Sequence, residues 1–140
     1  MNFLKNLFYP KTIQTGIVFI VEDNAAYAKM LDFYIRAHFP SIKQVKIFPV
    51  GETCLPELGQ NPDLIIIDYF LNSRYPDAET GLQIIQQIRQ QKPELNIIVL
   101  SGQSDVQVVI DAVKKYQCSY VKKDDEAFGR IGDIMEELNH

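Results

Sequence analysis

Pro62-Asp63-Leu64-Ile65-Ile66-Ile67-Asp68 decides how the chain is read. A turn residue opens this run, four aliphatic residues fill it and a carboxylate closes it. Three of the four are β-branched and the run is short. That is the pattern of a central strand buried on both faces, inside a parallel sheet covered by helices. Asp68 then stands at the carboxyl end of the strand, the rim where ligands bind in open α/β sheets. An isolated apolar run ending in Asp also fits a plain strand-terminating turn, so the meaning of Asp68 rests on the rest of the chain.

Working outward, Ile17-Val18-Phe19-Ile20-Val21 is a second continuous apolar run, ending in Glu22-Asp23-Asn24. The spacing predicts a helix over 25–39 with Ala28, Leu31, Ile35 and His38 on one face and Asn24 as N-cap. His38 lies at that helix's end and reads as a surface histidine rather than a ligand, because the only other histidine is His140. Val45-Lys46-Ile47-Phe48 reads as a shorter, edge strand. Residues 51–59 fit a short helix if Pro56 falls in its first turn. A long polar stretch, 69–80 with Pro76 inside it, follows Asp68, and loops of that length are usually functional or mobile.

A helix over 81–91 directs Leu82, Ile85 and Ile88 inward, with Thr80 or Glu79 at its start. Asn96-Ile97-Ile98-Val99-Leu100 is a fourth strand closed by Ser101-Gly102. A helix over 105–116 places Val106, Val109 and Val113 on one face. Ser119-Tyr120-Val121-Lys122 is a short fifth strand followed by Lys123. Asp124 or Asp125 caps a last helix that buries Phe128, Ile131, Met135 and Leu138. Five strand–helix pairs imply a doubly wound α/β domain with a parallel sheet and right-handed crossovers.

Composition narrows the function. A chain of 140 residues is one domain with room for a normal core, and its net charge of −4 gives no basic footprint for nucleic acid. Cys54 and Cys118 have no metal-ligand spacing and make no disulfide framework, as expected of a cytoplasmic protein. No apolar run approaches a membrane span, and no secretion signal, repeat or low-complexity tract is present. Residues 1–16 read as an N-terminal arm whose Phe3, Leu4, Leu7 and Phe8 share one face of a short helix. It packs on the body, pairs two copies into a dimer, or touches a membrane surface weakly.

The strand ends make a site. Glu22 and Asp23, Asp68, Ser101 and Lys123 each follow a strand, and in a doubly wound sheet those ends converge. Unit charges about 4 Å apart repel by roughly 4 kcal/mol at an effective dielectric near 20. Three carboxylates therefore keep a proton or gather around a cation. Oxygen-only ligands beside a phosphoryl group suit Mg2+. Asp68 would attack as a carboxylate nucleophile, Ser101 would donate a hydrogen bond to a phosphoryl oxygen, and Lys123 would add positive charge. Phosphoryl transfer asks for little else.

These residues, in this order on four strand ends, resemble the receiver domains of two-component response regulators, over 17 to about 138. The resemblance implies a flavodoxin-like (βα)5 fold with strand order 2-1-3-4-5 over residues 17–140. It implies a signalling phosphoacceptor rather than an enzyme in the usual sense, with only Mg2+-dependent self-phosphorylation and slow self-dephosphorylation. Asp68 would accept a phosphoryl group from a phosphohistidine on a sensor kinase or phosphotransfer protein. Asp23 and Asp68 would bind Mg2+ with the Phe70 backbone carbonyl, and Glu22 directly or through water. Ser101 and Tyr120 look like the switch pair. Lys123, rather than Lys122, matches by its offset from Tyr120.

The chain also departs from the family pattern. Asn72 stands at the usual proline position, Gly81 comes late after a longer insert, and Gln117-Cys118 replaces a more usual small pair. Bulky Phe70, two residues past the acceptor, is expected to shield the acyl phosphate from water. With no sequence after His140 for an output domain, a stand-alone regulator is expected. It would signal through helix 4, strand 5 and helix 5 to a protein target, or relay phosphate to a histidine. A phosphorylation-independent adaptor is the competing class. An aspartyl phosphatase would want Asp where Phe70 stands, and a flavin phosphate would be repelled by Glu22-Asp23.

Overall fold

The computed structural model describes residues 12–71, 80–102 and 106–139. Five strands, β1 (Ile17–Val21), β2 (Gln44–Phe48), β3 (Leu64–Asp68), β4 (Asn96–Ser101) and β5 (Ser119–Lys122), alternate with five helices. These are α1 (Ala25–His38), α2 (Gly51–Gln60), α3 (Gly81–Gln91), α4 (Val106–Tyr116) and α5 (Ala127–Leu138). Every neighbouring pair of strands is parallel, in the order β2-β1-β3-β4-β5. This is the doubly wound, flavodoxin-like arrangement expected from the sequence.

Alternation along the strands builds two cores. Val18, Ile20, Leu64, Ile66, Ile98 and Leu100 face α1 and α5, where Ala28, Leu31, Ile35, Ile131 and Met135 are buried with them. Phe19, Val21, Ile65, Ile67, Ile97 and Val99 face α2, α3 and α4. Successive strand side chains point to opposite faces, so an unbroken aliphatic run is what a sheet covered on both sides requires. All five residues of β3 are buried, as its central place demands.

Register sets the height of the site. Val21 pairs with Ile67, which brings Glu22 level with Asp68; Asp68 pairs with Leu100, one residue before Ser101. The helices that leave this rim are capped locally. The Asn24 side chain accepts the Tyr27 N–H at 3.0 Å at the start of α1. Thr80 and Gln83 form a reciprocal capping box at the start of α3.

The opposite end of β3 is held by its other carboxylate. Asp63 Oδ1 accepts the N–H groups of Gln14 at 2.8 Å and Thr15 at 3.1 Å, and Oδ2 accepts that of Gly16 at 2.6 Å. Gly16 has φ of +72°, the left-handed region, and a Cβ there would meet the Ser41 carbonyl oxygen at 2.7 Å. Ile13 donates to the Leu138 carbonyl at 3.0 Å. Residues 12–16 are thus tied to the body; residues 1–11 of the expected arm lie outside the described residues.

Several local expectations are corrected. The short helix expected over 51–59 is present as a 3₁₀ helix over residues 51–60, with Pro56 in its interior and not in its first turn. Proline in an α-helix interior clashes with the carbonyl four residues back, and the tighter helix avoids that. The buried stripe of α3 is Gly81, Ile84, Ile85 and Ile88, whereas Leu82 is only partly buried. His38 is the surface histidine expected, its Nδ1 2.9 Å from the Tyr34 carbonyl oxygen, but it lies off the buried face of Ala28, Leu31 and Ile35, and Phe128 is only half-buried. The N-cap of α5 is Glu126 without a side-chain cap; Asp124 instead accepts the Glu126 N–H at 2.9 Å. Asn72, Pro76, Glu79, Asp105 and His140 lie outside the described residues.

Candidate functional site

At the carboxyl rim of the sheet, Glu22, Asp23 and Asp68 each offer a carboxylate oxygen within 4.8 Å of the others. Glu22 and Asp68 are buried, and Asp23 is partly exposed. The Lys123 side chain reaches across from the end of β5. Its ammonium is paired with Glu22 and lies 3.2 Å from Asp68 Oδ2. Lys122 alternates outward and is exposed, so Lys123 is the lysine inside the crevice.

Backbone bonds fix these groups in place. The Lys123 N–H donates to the Ser101 carbonyl at 2.9 Å, and Tyr69 N–H to the Leu100 carbonyl at 2.8 Å. The Phe70 N–H turns back onto Asp68 Oδ1 at 3.0 Å. The Asn24 N–H donates to Glu22 Oε2 at 3.2 Å. Ser101 is fully buried at the end of β4. Phe70 is exposed at the rim, its ring edge-on to Tyr69 at 5.0 Å. The Tyr120 hydroxyl is buried with no hydrogen-bond partner among the described residues.

Gly81 explains how the late glycine still serves the site. Its N–H donates to the Tyr69 carbonyl at 3.1 Å. A Cβ there would stand 2.6 Å from the carbonyl oxygens of both Asp68 and Tyr69. Only glycine lets α3 begin against the end of β3, whatever length of chain precedes it.

The electrostatics are those of an over-full acidic pocket. Burial, with the Asp68 charge adding to it, pushes the Glu22 carboxyl up to about 7 against the opposing pull of Lys123. For Lys123, burial works against the charged form, but the contacts to Glu22 and Asp68 outweigh it and hold the ammonium above its usual range. A carboxyl raised by burial among neighbouring carboxylates favours either a bound proton or a cation among them. The donor set is oxygen only, which suits Mg2+ or a similar hard ion.

Reading the sequence missed two participants. Asp63, given no role in the sequence reading, is a buried clamp at the far end of β3. Tyr27, in the first turn of α1, lies with its ring 4.4 Å from the Lys123 ammonium. Its place four residues after Asp23 was the available signal; the contact itself joins residues nearly a hundred apart.

The comparisons agree with this geometry. The family described as response regulator receiver domain matches residues 18–129. The DNA-binding transcriptional regulator NtrC of Klebsiella pneumoniae is 28% identical over 129 residues, and that of Salmonella typhimurium 25%. In both cases 91% of this chain is covered, and the chain spans 26% of the relative's length. Among solved structures, the N-terminal domain of an uncharacterized protein from Wolinella succinogenes is 26% identical with a TM-score of 0.72, covering 88% of this chain and 93% of that one. A CheY-like receiver domain protein from Methanospirillum hungatei has the same TM-score and coverage at 17% identity.

Proposed function

The chain belongs to the response regulator receiver domain family of two-component signalling, and from that premise we propose that Asp68 is its phosphoacceptor. A carboxylate oxygen of Asp68 attacks the phosphorus of a phosphohistidine on a sensor kinase or phosphotransfer protein. A P–O bond forms, the P–N bond breaks, and the imidazole leaves. The observation that carries this reading is the cluster of Glu22, Asp23 and Asp68, spanned by Lys123.

Asp23 and Asp68, with Glu22 and the Phe70 carbonyl, would hold Mg2+. When bound, the ion neutralises charge on the incoming phosphoryl oxygens. Lys123 exchanges a carboxylate partner for a phosphoryl oxygen, and Ser101 donates its hydroxyl to another. Tyr120, whose buried hydroxyl has no partner among the described residues, is suited to change its position with Ser101. The phosphoryl group then favours one surface over another by differential contact, a population shift. The surface formed by α4, β5 and α5 would present the change to a protein target, or the group would pass on to a second histidine.

A donor must cross the rim beside α1. Ala26, Met30, Phe33 and Ala37 recur there at helical spacing and are exposed, Met30 by 58% and Phe33 by 73%. An outward apolar stripe on a helix that starts beside Asp23 suits docking of a partner helix.

Intact mass after incubation with Mg2+ and acetyl phosphate tests the reading. Wild type should gain the mass of one phosphoryl group and Asp68→Asn none. No gain in wild type together with no binding of Mg2+ would favour the phosphorylation-independent adaptor.

A further inference from the structure

Lys123 carries its charge on a flexible four-carbon stem, yet three groups fix where the ammonium sits. Glu22 and Asp68 are two of them. The third is the face of the Tyr27 ring, 4.4 Å from Nζ at its centroid. That ring is itself held, edge-on to Phe128 with centroids 5.4 Å apart. The Tyr27 hydroxyl is buried and has no hydrogen-bond partner among the described residues. Buried tyrosines usually place that hydroxyl on a partner, so the ring face is the part of Tyr27 that serves the site.

We propose that Tyr27 is a positioning residue for phosphoryl transfer, its ring holding the Lys123 ammonium over Asp68 by cation–π attraction. This rests on the reading of Asp68 as acceptor and Lys123 as its phosphoryl contact. A lysine shared between two carboxylates must loosen from one of them to meet the phosphoryl oxygens. Another anion beside it would oppose the incoming phosphoryl group. An aromatic face attracts the ammonium without adding negative charge to a pocket that already holds three carboxyl groups. The ring guides the ammonium through the exchange and keeps it on the Asp68 side.

The test compares Tyr27→Phe, which keeps the ring, with Tyr27→Leu, which keeps an apolar side chain but removes the π face; Lys123→Ala is the reference. The first readout is the Lys123 side-chain methylene resonance next to Nζ, in the unphosphorylated protein without metal. Ring proximity should shift it upfield in wild type and Tyr27→Phe, and the shift should vanish in Tyr27→Leu. The second readout is beryllofluoride affinity at saturating Mg2+, with the rate of phosphoryl uptake from acetyl phosphate. Both should fall by about 3- to 30-fold in Tyr27→Leu and stay within about twofold in Tyr27→Phe, with Mg2+ affinity unchanged.

Equal losses in the two variants would assign the effect to the hydroxyl and overturn the proposal. So would an unshifted Lys123 resonance in wild type, or a parallel loss of Mg2+ affinity in Tyr27→Leu. If Lys123→Ala takes up phosphoryl at the wild-type rate, the ring has nothing to act through and the proposal also fails. A wild-type protein that binds beryllofluoride nowhere and gains no phosphoryl group defeats the phosphoacceptor reading. The Lys123 resonance still decides, on its own, whether the ring holds the ammonium.

Discussion

β3 is bracketed by two aspartates that are nearly equally hidden, Asp63 at 8% exposure and Asp68 at 6%. They differ in what answers their charge. Asp63 is met by three successive backbone N–H groups, from Gln14, Thr15 and Gly16. Those donors are fixed in direction, so the carboxylate is held in place. Asp68 has one described backbone donor, Phe70, and a lysine it shares with Glu22. A side-chain cation can be exchanged for another partner, whereas a row of backbone amides cannot. Burial alone therefore does not separate a structural carboxylate from a reactive one; the mobility of its counter-charge does.

The same substitution at both ends should break the symmetry most. Asp63→Asn turns an amide NH2 toward backbone donors and should lower the free energy of unfolding by about 3 kcal/mol. Asp68→Asn relieves repulsion with Glu22 while giving up half of the lysine bridge, and should stay within about 1 kcal/mol of wild type. Urea unfolding of the two variants in metal-free buffer gives the comparison. Equal losses would mean that the two carboxylates are equally structural.

Acidity sharpens the contrast at the open end. Glu22 titrates near 7 in the folded chain against 4.5 unfolded. Between these values the folded state binds more protons, so the contribution is fully present below 4.5 and is lost as pH rises through about 7. Metal-free wild type should lose roughly 2–3 kcal/mol from pH 5 to pH 8 relative to Glu22→Gln. Saturating Mg2+ should abolish the difference, because the ion replaces the proton. A pH profile unchanged by Glu22→Gln would place the titration elsewhere.

The smallest effect concerns the rim. Phe70 stands exposed beside Asp68, as a cover the closed end has no use for. Phe70→Asn should speed loss of the phosphoryl group by roughly three- to tenfold, a barrier change of about 1 kcal/mol. Decay of the phosphorylated mass after removal of acetyl phosphate measures it, and an unchanged rate would remove the shielding role.

How much of this was legible in the sequence follows the range of the interactions. Ile65-Ile66-Ile67 and Ile17–Val21 announced buried parallel strands, because two-sided burial leaves no polar alternation to misread. Asn24 announced one helix start, and Thr80 or Glu79 another that the structure gives to Thr80, because a cap is a contact within one turn. Glu22, Asp23, Asp68, Ser101 and Lys123 converge through topology alone, so their order along the chain sufficed to bring them together. Pro56 was harder, since the sequence cannot choose between a kinked α-helix and a 3₁₀ one without the packing above it. Leu82 and Ile84 were confused because the helix phase is set by Gly81 pressed against β3. The clamp on Asp63 joins residues more than forty positions apart, and nothing local marks it.

The Gly81–Tyr69 hydrogen bond has a consequence for how this protein can vary. It fastens the two margins of the segment between Leu71 and Thr80 a single bond apart. The bond joins backbone to backbone, so the end of β3 and the start of α3 are held to each other without help from any side chain. Lengthening a closed loop adds only about 0.6 kcal/mol per doubling. The end of β3 and the start of α3 thus keep their relative position through Gly81 itself, and Asp68 keeps its place with them.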